Sequence, residues 1–200
     1  MPDKSGKCPE LPTWHLITDT SNPHGKAEKK EERFFSAQQV GRIVEASEEP
    51  YSTLYALISI TGCRAGEILG LKTGDLDFEK RLIRIRRTLD HATRKMTAPK
   101  SKSSSADLPM PELLEKRLRT FLAKHWRRNE ADLLFCNSKG KPMQRDKVAY
   151  KLQDTLLSLG IEKAALHAFR HMAASELLEH GASPSVVQRQ MRSVTRKDVQ

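Results

Sequence analysis

The residues of this chain that could do chemistry fall at three places. The first is Leu166-His167-Ala168-Phe169-Arg170-His171. On a helix, His167, Arg170 and His171 stand at i, i+3 and i+4 and share one face. Three cationic or proton-shuttling groups packed so closely repel one another unless an anion sits among them, and a phosphate is the natural occupant. Histidines at i and i+4 also have zinc-ligand spacing. H-A-F-R-H, however, lacks the Glu of H-E-x-x-H and sets an arginine beside the metal, so the reading is for no metal. The second place is Thr61-Gly62-Cys63-Arg64-Ala65-Gly66-Glu67. Here an arginine stands at a turn-to-helix junction with Glu67 three residues on, able to orient a guanidinium fork toward a phosphate. Taken alone, the pair is better read as an ordinary surface i, i+3 ion pair. The third is Lys100 with Lys102, in Lys100-Ser101-Lys102-Ser103-Ser104-Ser105. A lysine on a mobile hairpin tip can protonate a leaving oxygen, although a solvated loop lysine is the commoner case.

These groups need elements to hold them. Ser36 with Gln39 forms a capping box and Phe35 with Val40 a hydrophobic staple, so order begins at Phe35. Val40, Ile43 and Val44 follow on one helical face. A more apolar helix is expected over 51–61, and a short one over 64–71 with Ile68, Leu69 and Leu71 inward. The period then changes. In 81–89, Ile83 and Ile85 alternate with Arg84 and Arg86, which predicts a half-buried strand with arginines on its wet face. Extended pieces around 93–98 and 106–109 would complete a small three-stranded antiparallel sheet. Helices return from Pro111, with Leu114, Leu118, Phe121 and Leu122 on one face. Leu133-Leu134-Phe135 is a short buried segment. Asp146 is expected to cap a helix carrying Val148, Leu152, Leu156 and Leu159. A further helix over 168–180 and a last one after Ser183-Pro184, with Val186, Val187 and Met191 inward, complete the pattern. The fold class expected is α+β, mainly α-helical. Residues 1–34, interrupted by Pro2, Pro9, Pro12 and Pro23, read as a tail or linker, and 35–200 as the domain.

Composition narrows the function. The chain has 200 residues, with 35 Lys+Arg against 25 Asp+Glu, for a formal charge of +10. The excess is clustered. Residues 81–102 carry eight Lys/Arg (among them Arg84, Arg86, Arg87, Arg94 and Lys95) against Asp90 alone, and 116–128 carry six with no acid. Such clustering suits a polyanion, above all nucleic acid, more than a generic solubilising coat. The longest apolar run is far too short to cross a bilayer, and the first residues have no signal-peptide core. Three scattered cysteines make neither a disulfide framework nor a zinc site and fit a reducing cytoplasm.

The order R-x-x-E, hairpin Lys, H-x-x-R-H closely resembles the catalytic domain of the tyrosine recombinases, the phage integrase family. The resemblance runs from about Phe35 to Met191, through "TGCRAGEILGLKTGDLDFEKRLIRIRRTL", "PKSKSSSADLPMP" and "LHAFRHMAASELLEHGASPSVVQRQM". It implies a site-specific recombinase domain acting on double-stranded DNA, in DNA integration and recombination. A tyrosine would attack the scissile phosphate to give a 3′-phosphotyrosyl link, with no metal or other cofactor, in a homo-oligomer assembled on DNA. By that resemblance Arg64 and Arg170 clamp the phosphate oxygens and His167 assists proton transfer. Lys100, or Lys102 two residues on, protonates the leaving 5′ oxygen. Glu67 braces Arg64, and His171 supports the site. The arginines 84, 86, 87 and 94 with Lys95 would meet the DNA backbone. Two departures stand out. Ser193 occupies the place of a usual His or Trp, and the 30 residues after Arg170 contain no tyrosine. Tyr51, Tyr55 and Tyr150 are expected to be packing residues, so the nucleophile is expected to be absent from this chain. The alternative is a truncated remnant that binds DNA without cleaving it.

Overall fold

The computed structural model of the protein describes residues 34–97 and 106–191. The order of elements is α1 (Ala37–Ala46), α2 (Tyr51–Thr61), α3 (Ala65–Leu69), a 3₁₀ turn (Thr73–Asp75), β1 (Leu76–Asp77) and β2 (Leu82–Ile85). Then come β3 (Thr88–Leu89), β4 (Met96–Thr97), β5 (Ala106–Pro109), α4 (Glu112–Lys124), α5 (Arg145–Ser158), α6 (His167–Glu179) and α7 (Pro184–Met191).

Helix α1 starts where its capping chemistry places it. The Gln39 amide donates to Ser36 Oγ at 3.1 Å and Ser36 N–H donates to Gln39 Oε1 at 2.9 Å, while Phe35 and Val40 are both buried. Helix α2 is the centre of the molecule. Leu54, Tyr55, Leu57 and Ile58 on its different faces are all buried, because α1, α4 and α6 pack around it. A helix apolar all round has no face to give to water. Its end matters for the site. Gly62 adopts φ +64, the left-handed conformation that glycine reaches without Cβ strain, and it turns the chain sharply into α3.

The sheet is antiparallel and three-stranded, but its strands differ from those expected. Strand β2 pairs with β1 on one side, Leu76 opposite Ile83, and with β5 on the other, Ile83 opposite Leu108. Ile83 and Ile85 are fully buried, as the alternation predicted. The expected strand 81–89 is cut at Arg86-Arg87. Arg87 turns inward to Asp75 and the Gly70 carbonyl. Beyond that kink, β3 pairs with β4 as a separate two-stranded ribbon. The segment around 93–98 therefore belongs to the ribbon, and Leu76–Asp77 supplies the third strand of the sheet.

The later helices follow the apolar pattern with three corrections. Asp146 lies inside the first turn of α5, after the N-cap Gln144, and makes no cap bond. Val186 is exposed while Val187 and Met191 are buried, because a short helix crossing α6 buries only one narrow stripe. Tyr150 is 66% exposed, so it is not a packing residue. The tail assignment 1–34 falls almost wholly on residues outside those described, as do Lys100, Lys102 and Ser193. No helix among the described residues is long and apolar enough to cross a membrane.

Candidate active site

Two elements distant in sequence meet at the turn after α2. Arg170, in the first turn of α6, is buried and donates from its guanidinium to the carbonyls of Gly62 and Met191. Gly62 lies two residues before Arg64 and 108 residues from Arg170. The left-handed Gly62 turn thus does two jobs. It aims its carbonyl at Arg170, and it leaves room for the Met191 side chain, which a Cβ on Gly62 would strike.

Arg64 is the N-cap of α3. Its backbone N–H donates to Glu67 Oε2 at 2.9 Å, and its guanidinium reaches Glu67 Oε1 at 3.5 Å. Glu67 is buried while the Arg64 side chain is 40% exposed. The carboxylate therefore anchors the arginine from beneath and leaves it reaching toward solvent. A half-exposed pair of this kind contributes about 1 kcal/mol or less to stability, so its main effect is orientation. Helix α3 is itself seated closely on β3. A Cβ on Gly66 would stand 2.7 Å from the Leu89 carbonyl and 2.9 Å from Thr88 Oγ1, so this approach requires glycine.

His167 opens α6 on the same side. Its ring meets that of His171 edge-on, with centroids 5.4 Å apart, and His171 in turn meets Phe34 at 5.0 Å. The His167 pKa is held below its ordinary value of 6.5. Partial loss of solvent around the ring is the main cause, although part of the residue reaches water. The positive charges of His171, Arg170, Arg145 and Arg64 add to it. The imidazole is therefore neutral near pH 7 and surrounded by cations, the condition in which a bound anion would be most welcome and would raise its proton affinity.

Arg64, Glu67, His167, Arg170 and His171 are thus brought together. Arg145 joins them and was not legible in the sequence, where it reads only as the start of a helix. Its nearness to His167 depends on how α5 packs on α3. The Gly62 and Met191 carbonyls that hold Arg170 are backbone groups with no sequence signal at all. The arginines expected on a wet DNA-facing strand have other partners. Arg84 pairs with Asp77, Arg86 with Asp107 and Arg87 with Asp75. The three carboxylates stand on β1, on β5 and in the 3₁₀ turn. Arg94 and Lys95 remain exposed at the tip of the ribbon. Tyr55 is fully buried, stacks on Phe169 at 5.4 Å and donates to the Val148 carbonyl at 2.9 Å. Burial pushes its phenol well above its ordinary value, so it is no nucleophile. Among the described residues no group of three or more His, Cys, Asp or Glu could hold a metal ion.

Two arginines and a histidine thus converge from α3 and α6 of a mainly helical domain. Residues 33–192 match the Phage integrase family, and the chain belongs to that family. It is similar to a tyrosine recombinase XerC-like protein of Caldanaerobacter subterraneus, with 28% identity over 84% of this chain and 49% of that protein. It is also similar to tyrosine recombinase XerD of Lacticaseibacillus casei, with 31% identity over 68% of this chain and 43% of that one. The chain spans about half the length of the curated relatives it matches. Among solved structures it shares the fold of the Tn1549 transposon integrase in complex with a circular intermediate DNA. The TM-score is 0.72 at 22% identity, covering 84% of this chain and 60% of that one. The XerA recombinase follows at a TM-score of 0.68 and 21% identity, over 82% of this chain and 55% of that one.

Proposed function

We propose that this chain is the catalytic-domain portion of a site-specific DNA recombinase and that its site seats the scissile phosphate of duplex DNA. The observation that carries the reading is the convergence of Arg64, His167 and Arg170 on the Gly62 turn, with Glu67 beneath and cations acting on the His167 ring. In this reading the Arg64 guanidinium meets a non-bridging oxygen from the solvent side. Arg170 supplies fixed positive charge from the floor. Both stabilise the charge that grows on the phosphate in the transition state. His167, neutral before binding, accepts a hydrogen bond or proton as the anion arrives. Lys100 or Lys102 protonates the leaving 5′ oxygen. His171 supports His167.

Strand cleavage needs a nucleophile, and the tyrosines of this chain do not offer one at the site. Tyr55 is sealed in the core, Tyr51 lies half-buried beside it with ring centroids 6.4 Å apart, and Tyr150 projects from α5. The 200-residue polypeptide is therefore expected to bind duplex DNA without joining it covalently. Assembly into a homo-oligomer on DNA and a cytoplasmic location belong to the same proposal.

The test uses the 200-residue polypeptide, a labelled duplex and a nicked suicide duplex. Duplex binding that weakens at least tenfold in Arg64→Ala, with no covalent product, supports the reading. Binding unaffected by Arg64→Ala overturns the phosphate seat. A covalent adduct that disappears in Tyr150→Phe overturns the account of the nucleophile.

A further inference from the structure

Beside the site lies a cleft of about 190 Å³ between the turn joining β3 to β4 and the start of α5. Arg94 enters it from the turn, Lys141 from the loop before α5, and Arg145 from the first residue of α5. These three cations come from segments up to 51 positions apart in number, between residues 94 and 145, so their meeting is a product of the fold. Two acids share the lining, and each is turned to a local partner. Asp90 Oδ1 accepts from the Thr93 N–H at 2.8 Å and the Thr93 hydroxyl at 2.9 Å, which builds the turn. Asp146 Oδ1 lies 3.7 Å from His91 Nε2, a second lining residue. By formal charge the lining carries three cations, Arg94, Lys141 and Arg145, against the two carboxylates.

We propose that this cleft seats a second phosphate of the same DNA backbone, held by Arg94, Lys141 and Arg145. The proposal rests on the phosphate-seat reading above and adds a neighbouring seat to it. Position supports it. Leu89 of β3 lines the cleft, and its carbonyl is the group on which α3 closes at Gly66, so the cleft and Arg64 share one supporting strand. Arg145 also acts electrostatically on His167, so the cleft and the first seat share one cation. A phosphodiester backbone presents a monoanion at every nucleotide, and adjacent cationic seats on one surface fit that repeat. Arg84, Arg86 and Arg87, paired with aspartates, are not part of it.

The experiment measures the affinity of the 200-residue polypeptide for a fluorescent duplex between 50 and 300 mM salt. For every phosphate that the protein no longer neutralises, the log–log salt slope falls in magnitude by about 0.9. Arg145→Ala is expected to lower it by up to one such step, and Arg94→Ala/Lys141→Ala likewise by up to one, because the three side chains hold the same phosphate. Arg145→Lys keeps the charge and is expected to keep the slope. All three positions are exposed, and far-UV circular dichroism verifies the fold of each variant. Slopes that stay at the wild-type value in the alanine variants, while Arg64→Ala lowers it, overturn the second seat alone. A slope reduced equally in Arg145→Lys and Arg145→Ala also overturns it, since charge is then not the cause. Absence of salt-dependent duplex binding by the wild type overturns both seats.

Discussion

At the scale of single residues, the site is a balance between one buried carboxylate and a group of cations. Glu67 closes the N-terminus of α3 by accepting the Arg64 N–H, and the same carboxylate orients the guanidinium. Glu67→Ala removes both interactions and leaves a helix N-terminal donor without an acceptor, at an expected cost of about 1–2 kcal/mol in urea unfolding. Glu67→Gln keeps one oxygen for the cap and is expected to fall between wild type and alanine. His167 makes a prediction about acid. Its folded-state pKa lies below 6.5, so below pH 6.5 the unfolded chain binds more protons than the folded one. That destabilising contribution begins as pH falls through 6.5 and is complete below the lowered folded pKa. Unfolding measured at pH 7.5, 6.5 and 5.5 is expected to show a steeper acid loss in the wild type than in His167→Gln. Arg64, Glu67, His167, Arg170 and His171 were legible because helical spacing pairs them locally and the order of R-x-x-E and H-x-x-R-H along the chain resembles a known family. Arg145 was not, since nothing local to residues 143–147 distinguishes it from any helix-opening arginine.

At the scale of elements, glycine and charge pairing decide what the hydrophobic pattern leaves open. The helices were legible from their apolar period, and α1 from its cap. The division of the strands was not. The strand was expected to continue past Arg86 and Arg87 to Leu89, but the chain bends there because Arg87, in phase with the buried Ile83 and Ile85, is drawn to Asp75, a carboxylate from an earlier turn. Nothing in the pattern singles out Asp75, twelve residues earlier, as the partner, so the bend, and with it the separate β3–β4 ribbon, emerges only in three dimensions. Carboxylates from β1, β5 and the 3₁₀ turn pair with Arg84, Arg86 and Arg87, the arginines expected to meet DNA. The packing of α3 on β3 gives the prediction at this scale. Gly66→Ala would force a methyl group against the Leu89 carbonyl, a backbone atom that cannot rotate away. The expected cost is about 1–3 kcal/mol in thermal or urea unfolding, with a loss of duplex affinity beyond the loss of stability, because Arg64 moves with α3. Equal affinity in a folded Gly66→Ala protein would separate α3 packing from Arg64 placement.

At the scale of the molecule, the charge of +10 resolves into distinct uses. Part of it is internal. Arg84, Arg86 and Arg87 brace the sheet, Arg117 donates to Ser52 Oγ at 3.0 Å beside Glu49, and Arg119 lies 4.3 Å over the Phe78 ring. Another part, Arg64, Arg145 and Arg170, stands at the starts of α3, α5 and α6 and acts on His167. A whole-chain charge count could suggest a polyanion but could not separate bracing arginines from gripping ones. The most direct test of the central claim follows the His167 imidazole by NMR titration, with and without duplex DNA, in the 200-residue polypeptide. Free, it should titrate below 6.5. With saturating duplex, a phosphate between Arg64 and Arg170 should screen the surrounding cations and raise its pKa, with a smaller rise in Arg64→Ala. A His167 titration unchanged by duplex that is demonstrably bound would contradict the account, since the DNA would then sit elsewhere on the protein.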